Sequence, residues 1–254
     1  MLSLGGLKFR ALHPVFGRRD KPLPLSEQQR SVYYWWWAYL RRNKQYLACC
    51  ERGGVGRLAT LYKDFDDVRS DDFRKWWLTH NRGGYLFAEP LAPVRVSELA
   101  TKADWDDAWS AQATMVVVVP LDWSKRAIQK SFASLLAKRH SRGRGKLGLK
   151  GAETSSARYP LTSNFNIHSL NKGLEVYDAV EAARAMQGKR KTFYEIGCEL
   201  RLVPSALPTR EQIAAGIRDA DRVNVMNVAV SRYYKRAAAM VASTANGVFP
   251  HSRA

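Results

Sequence analysis

The chain predicts a mainly α protein with a small central β element, a Trp-rich helical N-terminal part and a basic α-rich C-terminal part. Three observations predict it. Apolar residues recur at helical spacing in several stretches, each bounded by Ser/Thr, Gly or Pro. All eight tryptophans precede residue 124 and imply an aromatic core in the first half. One segment, Thr114–Val119, has four consecutive valines closed by Pro120, the length and composition of a buried strand.

Residues 1–25 predict an extended basic arm, because Pro14, Pro22 and Pro24 oppose helix. The arm either orders on a partner or wraps its own domain through Leu2, Leu7, Phe9 and Phe16. Residues 26–112 form the Trp-rich helical domain. Its first element is a single helix from Ser26 to about Cys49, with Ser26 and Gln29 at capping-box spacing. Val32, Trp36, Tyr39, Leu40 and Leu47 share one face, and Arg30, Tyr34, Trp37, Arg41 and Lys44 share the other. Aromatics interleaved with cations suit nucleic acid, since bases stack on rings and cations take phosphate. The alternative is a helix buried on both sides.

Gly53, Gly54 and Gly56 lack the Lys-Ser/Thr of a P-loop and read as a helix end and loop. A short helix near Val55–Tyr62 precedes Asp64, Asp66, Asp67, Asp71 and Asp72, which read as loop and N-cap residues rather than a metal centre. Phe73, Trp76, Trp77 and Leu78 form a further amphipathic helix, Gly83-Gly84 a turn, and Thr101 caps a helix with Trp105 and Trp109.

Residues 113–254 form the basic α-rich domain. After the valine strand, Ser124 to about Arg139 is helical, with Ile128, Phe132, Leu135 and Leu136 as its core stripe. A mobile basic loop follows at 138–151. Its Lys138, Arg139, Arg142, Arg144, Lys146 and Lys150 are spaced by glycine with no acid among them, which gives phosphate affinity on a flexible chain. Ser169–Gln187 is a helix stopped by Gly188, and Lys189, Arg190 and Lys191 form the next turn. Thr192 with Glu195, and Thr209 with Gln212, are capping boxes for two short helices. Val225–Ala245 is a long amphipathic helix ended by Asn246-Gly247. The short helices fit a helix-turn-helix only loosely; in that arrangement Lys189–Lys191 and Arg201 would contact DNA.

Function is read from charge. Forty-one Lys and Arg against 23 Asp and Glu leave a formal charge of +18, more than solubility requires, and a basic excess answers a polyanion. The excess is uneven. Residues 61–112 carry seven basic and ten acidic groups, whereas 113–163 carry ten and two. The acidic, aromatic segment 61–112 is thus a candidate docking surface for a protein partner. No apolar run reaches the roughly 20 residues of a membrane span, so no membrane partner is expected. The three cysteines suit a reducing, cytoplasmic setting. Neither a metal-ligand spacing nor a catalytic motif occurs, so no catalytic residue, cofactor or metal is assigned. Tyr233 and Tyr234, flanked by Arg232, Lys235 and Arg236, read as a helix face with snorkelling cations rather than a nucleophile.

The stretches YYWWWAYLRRN, DFRKWW, FYEIGCELRL and VSRYYKRAAAMVASTANGVFP resemble uncharacterised basic proteins of bacterial mobile genetic elements. The resemblance transfers no activity; it implies a role in DNA mobility, replication control or phage biology. The expectation is a non-catalytic nucleic-acid-binding protein, DNA ahead of RNA, in a mobile-element or nucleoprotein assembly. The contacts would be Lys138, Arg139, Arg142, Arg144, Lys146, Lys150 and Lys189–Lys191, with Tyr34, Trp37, Arg41 and Lys44 as a stacking surface. The alternatives are a structural subunit of an RNA-containing effector complex and a divergent DNA nuclease or strand-transfer enzyme.

Overall fold

The computed structural model describes residues 7–90, 115–139, 155–188, 190–215 and 219–251. Helices dominate, and a single two-stranded antiparallel sheet accompanies them among these residues.

The helix expected over 26–49 is three helices: α1 (Leu25–Gln29), α2 (Val32–Leu40) and α3 (Lys44–Glu51). Local side chains make the breaks. Ser31 accepts the N–H of Tyr33, and Asn43 accepts that of Tyr46, so each caps a new helix instead of continuing the old one. The Ser26 capping box does not form; α1 opens at Pro24 without a side-chain cap. The breaks leave α2 free to sit in the middle of the core, where every residue except the half-buried Tyr34 is buried. A helix that is apolar all round is stable only there.

The first wall around α2 is built from α4 (Ala59–Phe65), α5 (Phe73–Leu78) and α6 (Arg82–Phe87). Tyr33 stacks on Phe87 at 4.8 Å, Trp37 meets Phe73 at 5.2 Å, and Trp36 meets Phe87 at 5.1 Å. Gly83 and Gly84 lie inside α6 rather than in a turn, because the Trp77 ring occupies the space where a Gly83 side chain would start. A short strand pair completes this side. β1 (Leu7–Phe9) runs antiparallel to β2 (Ala88–Pro90), pairing Leu7 with Pro90 and Phe9 with Ala88. Phe9 and Phe16 pack on the core, so the described part of the arm wraps its own domain.

The small β element is therefore present, but not at the valine run. Met115–Val119 forms no strand, and Val118 is 92% exposed. Thr114 lies outside the described residues. Valine favours a pleated surface, but propensity supplies no partner ladder.

α7 (Lys125–Arg139) follows, with Ser124 accepting the N–H of Ala127. Its expected core stripe is not core among the described residues: Phe132 is exposed, and Ile128, Leu135 and Leu136 are only half-buried. The rest of the chain supplies α8 (Ile167–Ala185), α9 (Phe193–Glu199), α10 (Arg210–Ala214) and α11 (Ala220–Thr244). Both expected capping boxes form at Thr192 and Thr209. α8, α9 and α11 bury Val176, Val180, Ile196 and Val230 together.

One core runs across the boundary expected at 112/113. Tyr39 donates to the Leu170 carbonyl at 2.9 Å, and Asn43 donates to the Val241 carbonyl at 2.8 Å. Phe249, fully buried, lies 5.5 Å from Trp36 and 5.4 Å from Tyr39. The Trp-rich part and the described α-rich part thus close on each other. No helix among the described residues is long and apolar enough to cross a membrane.

Candidate nucleic-acid interface

The five aspartates between residues 64 and 72 are all engaged by nearby groups. Asp64, buried in α4, accepts Arg158 at 2.9 Å and the Tyr159 hydroxyl at 2.6 Å. Asp66 holds the buried Arg82 at 2.6 Å, Asp67 chelates Arg69, and Asp71 pairs with Arg41. Asp72 caps α5. These five aspartates do not converge, and among the described residues no group of three or more His, Cys, Asp or Glu could hold a metal ion. The aromatic half of the 61–90 stretch is equally committed: Phe73, Trp76 and Trp77 are buried.

What remains outside is cationic. On α7, Lys125, Arg126, Lys130 and Lys138 are exposed, and none makes an ion pair among the described residues. The helix contains no acid. On α11, Arg232, Lys235 and Arg236 are likewise exposed and without an ion pair among the described residues. Of these cations sequence reasoning assigned Lys138 to a contact, and noticed the other six without assigning them. The available signal was the absence of any acid from Arg222 to the end of α11.

The assigned residues divide. Lys138 is exposed on the last turn of α7; Arg139 ends that helix, and its side chain lies outside the described residues. Arg142, Arg144, Lys146, Lys150 and Lys189 also lie outside them. Arg190 is exposed, and Lys191 is tied to Glu199 at 2.7 Å. α9, the second helix of one helix-turn-helix candidate, buries Ile196 and packs Gly197 against Met226 of α11.

The proposed stacking surface is corrected by burial. Trp37 is 2% exposed, with Phe73 and Trp76 beside it and the Arg41 guanidinium 4.6 Å over its ring. Tyr34 packs edge-on against Trp35 and Phe73. No base reaches Trp37, because residues 73–76 fold back over the face that looked cationic in the sequence. Lys44 alone of this group is well exposed, and it turns toward α8.

There it joins an open groove of about 650 Å³ between α3, α8 and α11. Glu181 is its hub. It accepts the Tyr234 hydroxyl at 2.9 Å, Arg184 at 3.1 Å and Lys44 at 3.1 Å. Tyr234 lies nearly parallel to Tyr177 at 5.7 Å, and the Arg184 guanidinium sits 4.6 Å over the Tyr234 ring. Arg42 forms a fork with Asp178 at 3.1 and 2.7 Å. Partial burial opposes the charged form of Glu181, but the bonds from Tyr234, Lys44 and Arg184 outweigh it and hold the carboxyl below its ordinary range. Burial, then the bond to Glu181, pushes the Tyr234 hydroxyl up. A phenol that stays protonated and donates to a carboxylate is a poor nucleophile.

The lowered Glu181 value has a pH consequence. The unfolded chain binds this proton first as pH falls, so the contribution is whole above the ordinary glutamate value of 4.5 and is lost as pH drops through the folded value. Glu181→Gln is expected to flatten the acid limb of stability below about pH 4.5 and leave the slope between about pH 6 and 8 unchanged. Urea midpoints measured from pH 3 to 8 check this; parallel acid limbs in both proteins would refute it.

Comparisons with protein-family models, with curated proteins and with solved structures found no match to this chain.

Proposed function

We propose that the protein is a non-catalytic nucleic-acid-binding protein, with DNA ahead of RNA as its polyanion, working in a nucleoprotein assembly of mobile-element type. The observation that carries the reading is α7: exposed Lys125, Arg126, Lys130 and Lys138, no acid in the helix, and an acid-free basic run leading on to Lys150. Among the described residues no carboxylate pairs with these cations, which leaves them available to phosphate. The resemblance of four sequence stretches to basic mobile-element proteins supports the cellular setting.

Affinity for duplex DNA, single-stranded DNA and RNA, measured across salt, tests it. A polyelectrolyte contact makes log K fall linearly with log salt, by about 0.9 per phosphate neutralised on duplex DNA. Replacing Lys125, Arg126 and Lys130 together by Gln is expected to reduce that slope by about 2–3 and to weaken all sequences alike. A flat salt dependence in the native protein would sink the proposal. The same titration ranks DNA against RNA.

A further inference from the structure

A second pocket, distinct from the first groove and less open, lies beside the first turn of α8 and holds about 310 Å³. Its position follows from three segments meeting: residues 163–166, the α8 residues Ser169, Leu170 and Gly173, and the α11 residues Tyr233, Arg236 and Met240, with Pro250 and His251 closing one side. The walls are pinned. Thr162 and Ser163 both donate to the Pro250 carbonyl, at 3.0 and 2.6 Å, and Ser243 donates to that of His251 at 3.4 Å. Asn166 caps α8 by accepting the Ser169 N–H at 3.1 Å. A cavity whose rim is tied by hydrogen bonds to both neighbouring segments is preformed, which lowers the ordering cost of a ligand.

The lining has two characters. Leu170 and Met240 are buried, and Phe165 and Tyr233 are half-buried aromatics: a wall that suits a planar ring. Opposite in chemistry is Arg236, exposed and without a hydrogen bond or ion pair among the described residues. An Arg with no carboxylate of its own at the edge of a half-open pocket is suited to a bidentate oxyanion. Arg232, one turn before it on α11, and Lys235 are exposed as well and extend the cationic strip away from the cavity. The volume sits at the lower end of small-molecule sites, room for one ring and its phosphate rather than a strand.

We propose that this cavity binds a single nucleotide, with the base against Phe165 and Tyr233 and the phosphate on Arg236. The nucleotide is either a free monophosphate or the phosphorylated end of a strand whose remaining phosphates follow Arg232 and Lys235. The strand-end form rests on the nucleic-acid reading above; the pocket itself does not. Sequence reasoning saw the cations and tyrosines of α11 only as a helix face, since Phe165 and Pro250 reach them solely through the fold.

Calorimetric titration of the full chain tests it, with the four nucleoside monophosphates, the matching nucleosides and inorganic phosphate as probes. At least one monophosphate is expected to bind saturably and about tenfold tighter than its nucleoside or phosphate alone, since a charge-assisted bond adds to the ring contact. Arg236→Gln should cost about tenfold for the monophosphate and leave the nucleoside unchanged. Ser169→Tyr, which fills the cavity from its other wall, should remove both, with circular dichroism verifying the fold. Competition by a 5′-phosphorylated oligonucleotide assigns the ligand to a strand end; competition by free nucleotide alone assigns it to the small molecule. Equal affinity for phosphate and monophosphate, or no saturable nucleotide binding, overturns the pocket whatever polynucleotides do. Conversely, the triple Gln variant of α7 should weaken strand binding and reduce its salt slope while keeping the monophosphate, so the two proposals fail separately.

Discussion

Trp36→Ala is expected to destabilise the protein by about 4 kcal/mol, the range for emptying a fully buried aromatic site. Trp36 is 0% exposed and meets Phe65, Phe87, Tyr159 and Phe249. Its neighbours therefore come from α4, α6, the stretch before α8 and the stretch after α11. A cavity ringed by large rings cannot collapse cheaply, because each ring is held by others. For a chain of this size the cost corresponds to a melting point lower by roughly 8–16 °C. The shared core adds a sharper expectation. Tryptophan fluorescence, which reports chiefly the N-terminal half, and helical circular dichroism, to which α8 and α11 contribute most length, should shift together. If dichroism kept its native midpoint while fluorescence moved, the two parts would be separate units and the core argument would fail.

Gly83→Ala is the second large effect, and its sign is opposite to what helix propensity implies. In an open helix the change stabilises by about 1 kcal/mol. In α6, a Cβ at Gly83 would lie 2.0 Å from Cε2 and 2.3 Å from Cδ2 of Trp77. Trp77 cannot yield: it is 3% exposed, stacked on Phe87 at 16°, and flanked by Tyr33 and Phe73. Overpacking of this kind costs on the order of 3 kcal/mol. Trp77→Leu removes the atoms that clash. The double variant should be more stable than the sum of the two single losses by about 1 kcal/mol or more, the size of coupling found between touching residues. Strict additivity in urea unfolding would show that the clash is not the cause.

The two capping boxes were legible because their chemistry is local: a Thr and a carboxyl or amide three residues on fix the start of a helix whatever surrounds it. The long helices α8 and α11 were legible for a related reason, as their apolar spacing survives over several turns. The breaks at Ser31 and Asn43 were not, because the Ser26/Gln29 spacing already offered a helix start, the apolar spacing from Leu40 to Leu47 runs past Asn43, and the caps act one residue at a time. The valine run misled for the reverse reason. Strand propensity was there, but the ladder formed between residues eighty apart in the chain, Leu7–Phe9 and Ala88–Pro90, neither of them valine-rich.

The candidate site shows the same division. That α7 is cationic and acid-free could be read directly, and the structure adds that Asp64 and Asp66 are occupied by Arg158 and Arg82. That Trp37 is hidden could not, since its cover is supplied by Phe73 and Trp76 after two intervening helices. The Arg236 cavity needs residues 165, 233 and 250 at once, and no spacing rule joins those positions.

The seating of Phe249 against Trp36 and Tyr39 has a consequence for synthesis. At about 5–20 residues per second, the ribosome leaves the aromatic α2 waiting on the order of 10–40 s for the residue that closes over it. Until then Trp36 and Tyr39 lack the ring that closes over them, and a nascent chain in that state is a substrate for chaperones or for its neighbours on the same message. Slow codons late in the coding sequence would lengthen the exposure. Soluble yield in the cell should therefore fall when slow synonymous codons are placed over the final third of the message.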